Sequence, residues 1–281
     1  MARRAVLYLR QVKRILTIFV LSVCTACFAE TQSVGAQPPS LTPAQIKEAE
    51  QRLSDMGYWT GAVAGRFDPG AQSALIAFQK WEGRSVTGQL TIEELNAIRS
   101  GSSPKARERG YEHAEVDLDH QVFMWVDERG SVRVLPVSTG TGKEYVDEGQ
   151  TSVAYTPRGR FLVYDKGFGW EKGPLGSVYY PNGISGGVAI HGSRNVPNEP
   201  ASHGCIRIPM FAAREVSKLL KLGTIVLVYD NVSFVSAKDW VENPKLKEAA
   251  LLNIAASDDE IEIKGTKDKP VRKIGTKVIR A

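Results

Sequence analysis

The stretch AIHGSRNVPNEPASHGCIRIP, residues 189–209, holds two of the chain's four histidines together with a cysteine, two serines and two arginines. His191 ends a strand-like apolar run, and glycine and proline break the loop that follows it. The stretch decides how the surrounding domain is interpreted. It places groups that transfer protons and attack carbonyl carbons in a single loop.

Around this loop, residues 111–230 have the pattern of a β-rich domain. Short runs with alternating apolar residues recur, and turn sequences such as DERG separate them. A single helix is predicted after the loop, from PMFAAREVSKLLKLG, with Phe211, Val216 and Leu220 on its buried face. Many short strands with one helix predict a sandwich or barrel-like domain.

Upstream, residues 41–99 carry three helix signatures. The first opens with the capping box Thr42 to Gln45, the second follows Asp68, and the third follows Thr91. Glycine-rich connectors separate them. The chain is therefore predicted to be an α+β multidomain protein, in which a small three-helix module precedes the β-rich domain. The aromatic residues of the module are expected to fill its core; they are Tyr58, Trp59, Phe78 and Trp81.

The first 29 residues have the anatomy of an export signal. Five basic residues and no acidic one precede or flank the apolar run ILTIFVLSVCTACF, which is shorter than the roughly 20 residues of a membrane-spanning helix. A cleaved leader ending at Ala29 or Ala36 is therefore predicted, and the association with a membrane is predicted through this signal. Its removal leaves 31 basic and 31 acidic residues. A neutral mature chain gives no reason to expect nucleic-acid binding.

Two further segments link or extend the domains. Residues 100–110, SGSSPKARERG, are predicted to be a linker. Residues 231–281 form a charged C-terminal extension whose end is basic, and a solvated tail or a contact with anionic wall polymer or lipid would both fit it.

Cysteine usage points to Cys205. Cys24 and Cys27 lie in the leader, and Cys24 stands where a lipidation signal needs leucine, which argues against lipidation of Cys27. Cys205 then remains alone in an exported protein. Such a thiol is a buried filler, an intermolecular bridge or a reactive group.

The neighbours of Cys205 favour reactivity. Attack by sulfur needs the thiolate, and an ordinary cysteine pKa of about 8.5 leaves little of it near neutral pH. A neighbouring imidazole, His191 or His203, must take the proton or hold an ion pair, and we expect it to ionise the sulfur. Gly204 allows backbone amides to surround the reacting carbonyl, and Arg207 can bind a carboxylate.

Two alternatives compete with this interpretation. His191, His203 and Cys205 could bind zinc, although no zinc signature such as HExxH is present. Cys205 could also be a structural residue in a turn, with Arg207 in a surface ion pair. Neither alternative explains the whole set of residues. Attack by a cysteine needs no metal, so no metal and no cofactor are predicted.

Residues 116–230 resemble the L,D-transpeptidase catalytic domain family, often called YkuD-like. The shared motifs are VDLDHQVFMWV, VLPVSTGTG, TPRGRFLV, VAIHG, SHGCIRIP and GTIVLVYD, in the family's order. Residues 41–99 resemble the peptidoglycan-binding domain 1 family through QRLSDMGYWTGAVAGRF, ALIAFQKWEG and TIEEL. Ala64 and the sequence DPGA at 68–71 depart from that second family's pattern.

The first resemblance implies roles for individual residues. Cys205 is implied as nucleophile and His191 as its base, and the backbone around His203, Gly204 and Cys205 as an oxyanion hole. The residues implied to shape the substrate site are Ser202, His203 and Arg207, with Gly192 close to the base. The STG and TPRG motifs could be turns or substrate contacts. His113 and His120 match no family position and are expected at the surface.

The resemblances together imply an exported L,D-transpeptidase of the periplasm or cell envelope whose partner is peptidoglycan. Cys205 would attack a tetrapeptide stem after its third residue, release D-alanine and pass the acyl group to an amine, which makes a 3→3 cross-link. Water, a lipoprotein lysine or a free D-amino acid could replace that amine. An inactive wall-binding protein and a zinc-dependent endopeptidase are the rival interpretations.

Overall fold

The computed structural model describes residues 41–147 and 149–231, which contain four helices and twelve strands. The helices are α1 (Pro43–Asp55), α2 (Pro69–Trp81), α3 (Ile92–Ser100) and α4 (Met210–Leu219). The strands are β1 (His113–Asp117), β2 (Val122–Val126), β3 (Val132–Pro136), β4 (Glu144–Asp147), β5 (Gln150–Val153), β6 (Gly159–Leu162), β7 (Asp165–Lys166), β8 (Trp170–Gly173), β9 (Gly176–Ser185), β10 (Val188–Ser193), β11 (Ile206–Pro209) and β12 (Ile225–Tyr229).

The three N-terminal helices begin at the predicted capping residues. Thr42, Asp68 and Thr91 each accept a hydrogen bond from a backbone amide in the first turn of the helix that follows. The Gln45 side chain also accepts a hydrogen bond from the Thr42 amide, which completes the capping box. The predicted helical module is therefore confirmed.

Two sheets form the β-rich domain. The first has the order β3-β2-β1-β12-β6, and only its β1–β12 pair is parallel. The second has the order β11-β10-β9-β7, with β8 also paired to β9, and its β10–β11 pair is parallel. Strands β4 and β5 make a separate hairpin. A helical module followed by this β-rich domain confirms the predicted α+β class.

The first sheet is covered on both faces. Phe123 and Trp125 of β2 enter a core between the two sheets and α4, whereas Val122, Met124 and Val126 enter a second core shared with the N-terminal helices. Side chains alternate along a strand, so one sheet supplies both cores. All five residues of β2 are consequently buried.

The module also pairs with the edge of the first sheet. The Trp59 amide donates to the Val134 carbonyl at 3.0 Å, and the Val134 amide donates to the Gly57 carbonyl at 2.8 Å. Gly57 has φ of 93°, and a Cβ there would lie 2.3 Å from the Val132 carbonyl oxygen. Only glycine fits this approach, which covers the exposed side of β3.

Two of the module's four aromatic rings fill its core as predicted. Tyr58 and Phe78 are buried and meet edge to face, with ring centroids 5.7 Å apart. Trp59 packs against the core between the sheets, and Trp81 lies 4.8 Å from the His120 ring of the β-rich domain. Two of the four rings therefore pack across the junction with the β-rich domain.

Residues 100–110 run along the β-rich domain. The Arg107 and Glu108 amides donate to the carboxylate of Glu115 on β1, at 2.9 and 2.8 Å. Arg160 of β6 forms an ion pair with Glu108 at 2.8 Å. The segment predicted to be a linker is thus bonded to two strands.

Two sequence-based expectations about single side chains are wrong. His113, expected at the surface, is fully buried because β1 is a central strand, and its ring nitrogens face the Tyr111 carbonyl at 2.9 Å and the Glu115 carboxylate at 3.1 Å. Phe211, expected on the buried face of α4, is 43% exposed, whereas Val216 lies in the core. Phe211 stands in the first turn of α4, and the next two residues, both alanine, face the core instead.

The predicted leader at 1–29, which includes Cys27, and nearly all of the 231–281 extension lie outside the described residues. Within residues 41–147 and 149–231, no helix has the length and apolar character to cross a bilayer.

Candidate active site

The parallel pair β10–β11 brings the predicted catalytic residues together. Ile190 pairs with Ile206 and His191 with Arg207, and the isoleucines are buried in the core between the sheets. Because side chains alternate along a strand, His191 and Arg207 extend from the opposite face. Cys205 directly precedes β11 and lies on that same side.

This face borders a cavity of about 1030 Å³. Six of the seven predicted site residues line it, namely His191, Ser202, His203, Gly204, Cys205 and Arg207. The hairpin β8–β9 and the end of β4 supply other parts of the wall, including Trp170, Lys172 and Tyr145. A cavity of this size is large enough for a peptide-sized ligand.

Gly192, the seventh predicted residue, lies behind the cavity. A Cβ at Gly192 would come within 2.6 Å of the Ala213 side chain of α4 and 3.1 Å of the Tyr179 ring. Glycine at this position therefore lets α4 pack closely on β10, next to His191.

Cys205 is an unpaired cysteine whose surroundings favour the neutral thiol. Burial raises its pKa, while a hydrogen bond from the Ala189 backbone and the charge of Arg207 act in the opposite direction. The Sγ atom lies 3.8 Å from the Gly187 carbonyl oxygen, to which a thiol can donate.

His191 is buried and favours the neutral imidazole. Its Nδ1 lies 2.9 Å from the Gly192 carbonyl oxygen, which can only accept a hydrogen bond, so Nδ1 carries the proton and Nε2 has the lone pair. Burial lowers the pKa of His191, the bond to Gly192 raises it, and the charge of Arg207 lowers it further. The expected ionised sulfur is not what this site favours before substrate binds, because burial disfavours charge on both groups.

The turn before Cys205 is held by its own serine. The Ser202 hydroxyl donates to the Cys205 carbonyl at 2.6 Å and accepts from the Gly204 amide at 3.0 Å. Gly204 has φ of 141°, and a Cβ there would lie 2.8 Å from the Tyr155 carbonyl oxygen. The Gly204 amide is therefore engaged inside the turn.

His203 occupies a different part of the cavity wall. Its ring packs on Tyr145 of β4, with centroids 4.6 Å apart. No ion pair within the described residues involves Arg207, so its guanidinium is available to a ligand. The same residues contain no cluster of three or more histidine, cysteine, aspartate or glutamate side chains arranged to hold a metal ion.

The STG and TPRG motifs form hydrogen bonds with the backbone of the loop that precedes Cys205. The Ala201 and Ser202 amides both donate to the Thr139 carbonyl at 2.9 Å. The Thr156 hydroxyl donates to the Gly204 carbonyl at 2.7 Å and accepts from the Gly140 amide at 2.8 Å. The sequence marked these motifs only as turns or substrate contacts; their role in holding the loop depends on tertiary pairing.

Comparisons with known proteins agree with this geometry. Residues 111–228 match the family model of the L,D-transpeptidase catalytic domain, and residues 42–98 match the model described as "Putative peptidoglycan binding domain". No curated protein matches the chain.

Several solved structures are similar to this chain. The L,D-transpeptidase of Xylanimonas cellulosilytica is 35% identical, with 69% of this chain and 97% of that chain covered and a TM-score of 0.63. An L,D-transpeptidase of Stackebrandtia nassauensis is 20% identical, with 71% and 97% covered and a TM-score of 0.40. One from Mycobacterium smegmatis is 23% identical, with 42% and 58% covered and a TM-score of 0.35.

Proposed function

The chain belongs to the L,D-transpeptidase family, and from this premise we propose that it is an exported cysteine acyltransferase acting on peptidoglycan stem peptides. The observation that carries the proposal is the placement of Cys205, His191 and Arg207 on one side of a parallel strand pair, at the wall of one cavity. A thiol, a base and a fixed cation are the groups that thiol-based acyl transfer from a carboxylate-bearing peptide needs.

The first half-reaction forms a thioester. His191 Nε2 takes the proton of the Cys205 thiol as the sulfur attacks the carbonyl carbon of the third stem residue. The tetrahedral intermediate collapses, the bond to the terminal D-alanine breaks, and the leaving amine takes the proton from His191. Amides of the turn at 203–205 stabilise the oxyanion. Because Ser202 engages the Gly204 amide, the amides of His203 and Cys205 are assigned this role.

The second half-reaction transfers the acyl group. An acceptor amine attacks the thioester carbonyl, its proton passes to His191, and the Cys205 sulfur leaves and regains a proton. With an amine from a neighbouring stem the product is a 3→3 cross-link. The acceptor could also be water, a lipoprotein lysine or a free D-amino acid, since pocket shape rather than the motif selects it.

Export places the enzyme next to its substrate. The basic and apolar residues 1–29 supply the proposed secretion signal, and the periplasm or cell envelope is the proposed location. The similarity of residues 42–98 to a wall-binding domain supports the same location.

Analysis of muropeptide products tests the proposal. Purified protein is incubated with disaccharide tetrapeptides, and products are identified by mass. Wild type should release D-alanine and form dimers, and Cys205→Ala should do neither while still binding isolated sacculi. Sacculus binding by both proteins without reaction by either would favour an inactive wall-binding protein.

A second comparison addresses metal-dependent hydrolysis. Iodoacetamide should stop the reaction, and a chelator should leave it unchanged. The opposite pattern would favour a zinc-dependent endopeptidase.

A further inference from the structure

The loop between His191 and Cys205 touches the helical module as well as the β-rich domain. The Asn198 side chain donates to the Val86 carbonyl at 2.9 Å, and Val86 lies in the connector between α2 and α3. A module that serves only to bind the wall has no need of contact with the catalytic loop.

Lys80 makes the second connection from the module. It lies in the last turn of α2, is only 7% exposed, and donates from Nζ to the Val137 carbonyl at 2.8 Å and to the Gln121 carbonyl at 3.5 Å. The negative charge of Glu199, in the catalytic loop, raises the pKa of Lys80, although burial lowers it to about 8. Lys80 therefore keeps its positive charge near neutral pH in a buried position facing that loop.

The residues after Val137 carry this contact to the nucleophile. The Ser138 hydroxyl donates to the Glu199 carbonyl at 2.8 Å. The next residue, Thr139, accepts hydrogen bonds at its carbonyl from the Ala201 and Ser202 amides. Ser202 in turn bonds the Cys205 carbonyl. Hydrogen bonds, joined by the backbone of residues 137–139, thus connect the end of α2 with the residue that carries the sulfur.

We propose that Lys80 is a positioning residue, through which the helical module fixes the 194–205 loop and so the orientation of Cys205. The inference rests on the proposed function, and it gives the module a second role besides contact with the wall. Misplacement of a reacting group by about 1 Å can cost up to 100-fold in rate, so a remote anchor of this kind has a measurable effect.

The test measures acylation of Cys205 by a carbapenem in the full-length protein. Lys80→Met removes the ammonium and keeps an apolar stem of similar length. We expect its limiting acylation rate at saturating carbapenem to fall about tenfold, with the half-saturating concentration changed less than twofold, because Arg207, the cation placed to bind a carboxylate, lies outside that loop. Lys105→Met, on an exposed lysine, is the control and should match wild type.

Asn198→Ala provides a second variant, because Asn198 is exposed and its loss does not threaten folding. Its limiting rate should fall about threefold, whereas the control Asn96→Ala, at an exposed position that contacts Arg99, should not change. Unaltered limiting rates in both Lys80→Met and Asn198→Ala would overturn the inference. An absence of acylation in wild type would instead overturn the proposed function.

Discussion

At the scale of single residues, the site pairs a partly buried thiol with a buried neutral imidazole. Burial raises the pKa of Cys205 and lowers that of His191, so the two groups do not form an ion pair in advance. In the proposed reaction the proton moves as the sulfur attacks. This arrangement protects the only cysteine of the described residues from adventitious oxidation, because thiolates react much faster than thiols.

Alkylation of Cys205 should reveal the raised pKa. The thiolate is the reactive form, so the alkylation of Cys205 by iodoacetamide should be slow at neutral pH. Its rate should still increase above pH 9, where the alkylation rate of an ordinary cysteine has begun to level off. The measurement is the second-order rate constant from pH 6 to 10.5, with glutathione as reference. If the rate constant of Cys205 reached half its maximum at a lower pH than that of glutathione, Cys205 and His191 would not be a neutral pair.

The acid side of the pH–rate profile should report His191. The base must be neutral to act, and burial lowers its pKa below the usual 6.5, so the decrease of kcat/KM on the acid side should have its midpoint below pH 6.5. Steady-state rates from pH 4.5 to 8 measure this, with circular dichroism confirming that the protein stays folded. An acid midpoint at or above 6.5 would disagree with the buried imidazole.

At the scale of elements, the sequence predicted where the helices begin better than it predicted which faces of the strands are buried. The capping residues Thr42, Asp68 and Thr91 act through neighbours in sequence, so their effect is visible locally. The alternation at Val122, Met124 and Val126 was also visible, but the burial of Phe123 and Trp125 on the other face depends on a second layer. The exposed hairpin β4–β5 has no buried face to mark it.

The junction at Gly57 should be intolerant of any side chain. Gly57→Ala adds a Cβ that would lie 2.3 Å from the Val132 carbonyl oxygen, at φ of 93°. We expect the free energy of unfolding to decrease by more than about 2 kcal/mol, which lowers the melting temperature by about 5 °C or more. Thermal unfolding by circular dichroism is the measurement.

Gly61→Ala is the matched control for that variant. Gly61 also has positive φ, 75°, but nothing lies within 4 Å of the added atom. Gly61→Ala should lower the free energy of unfolding by only about 1 kcal/mol, through backbone strain. Equal losses in the two variants would show that the close approach to β3 is not what demands glycine at position 57.

At the scale of the whole molecule, the two family-like segments share one core. Residues 41–99 cover the outer face of the first sheet and pair with its edge. Residues 100–110 form hydrogen bonds with the strands and are not a free linker. The sequence indicated the two segments and their types. It could not indicate their contact, because apolar residues on β2 and on the helices would serve equally well in separate cores.

A fragment that begins at residue 100 should therefore be unstable. Its first sheet would expose the side chains of Val122, Met124, Val126, Val132 and Val134. Exposed apolar patches of this kind promote association, so the fragment should aggregate or unfold at lower temperature than the full chain. Size-exclusion chromatography and thermal unfolding of both proteins test this. A monomeric fragment with an unchanged melting temperature would show that the shared core is dispensable.

The account as a whole depends on Cys205 as nucleophile. Intact-protein mass spectrometry after incubation with a carbapenem tests this most directly, since a β-lactam carbonyl is open to the same attack as the stem amide. Wild type should gain the mass of one carbapenem, and Cys205→Ala should gain none. An unmodified wild type, or an adduct that persists in Cys205→Ala, would contradict the account.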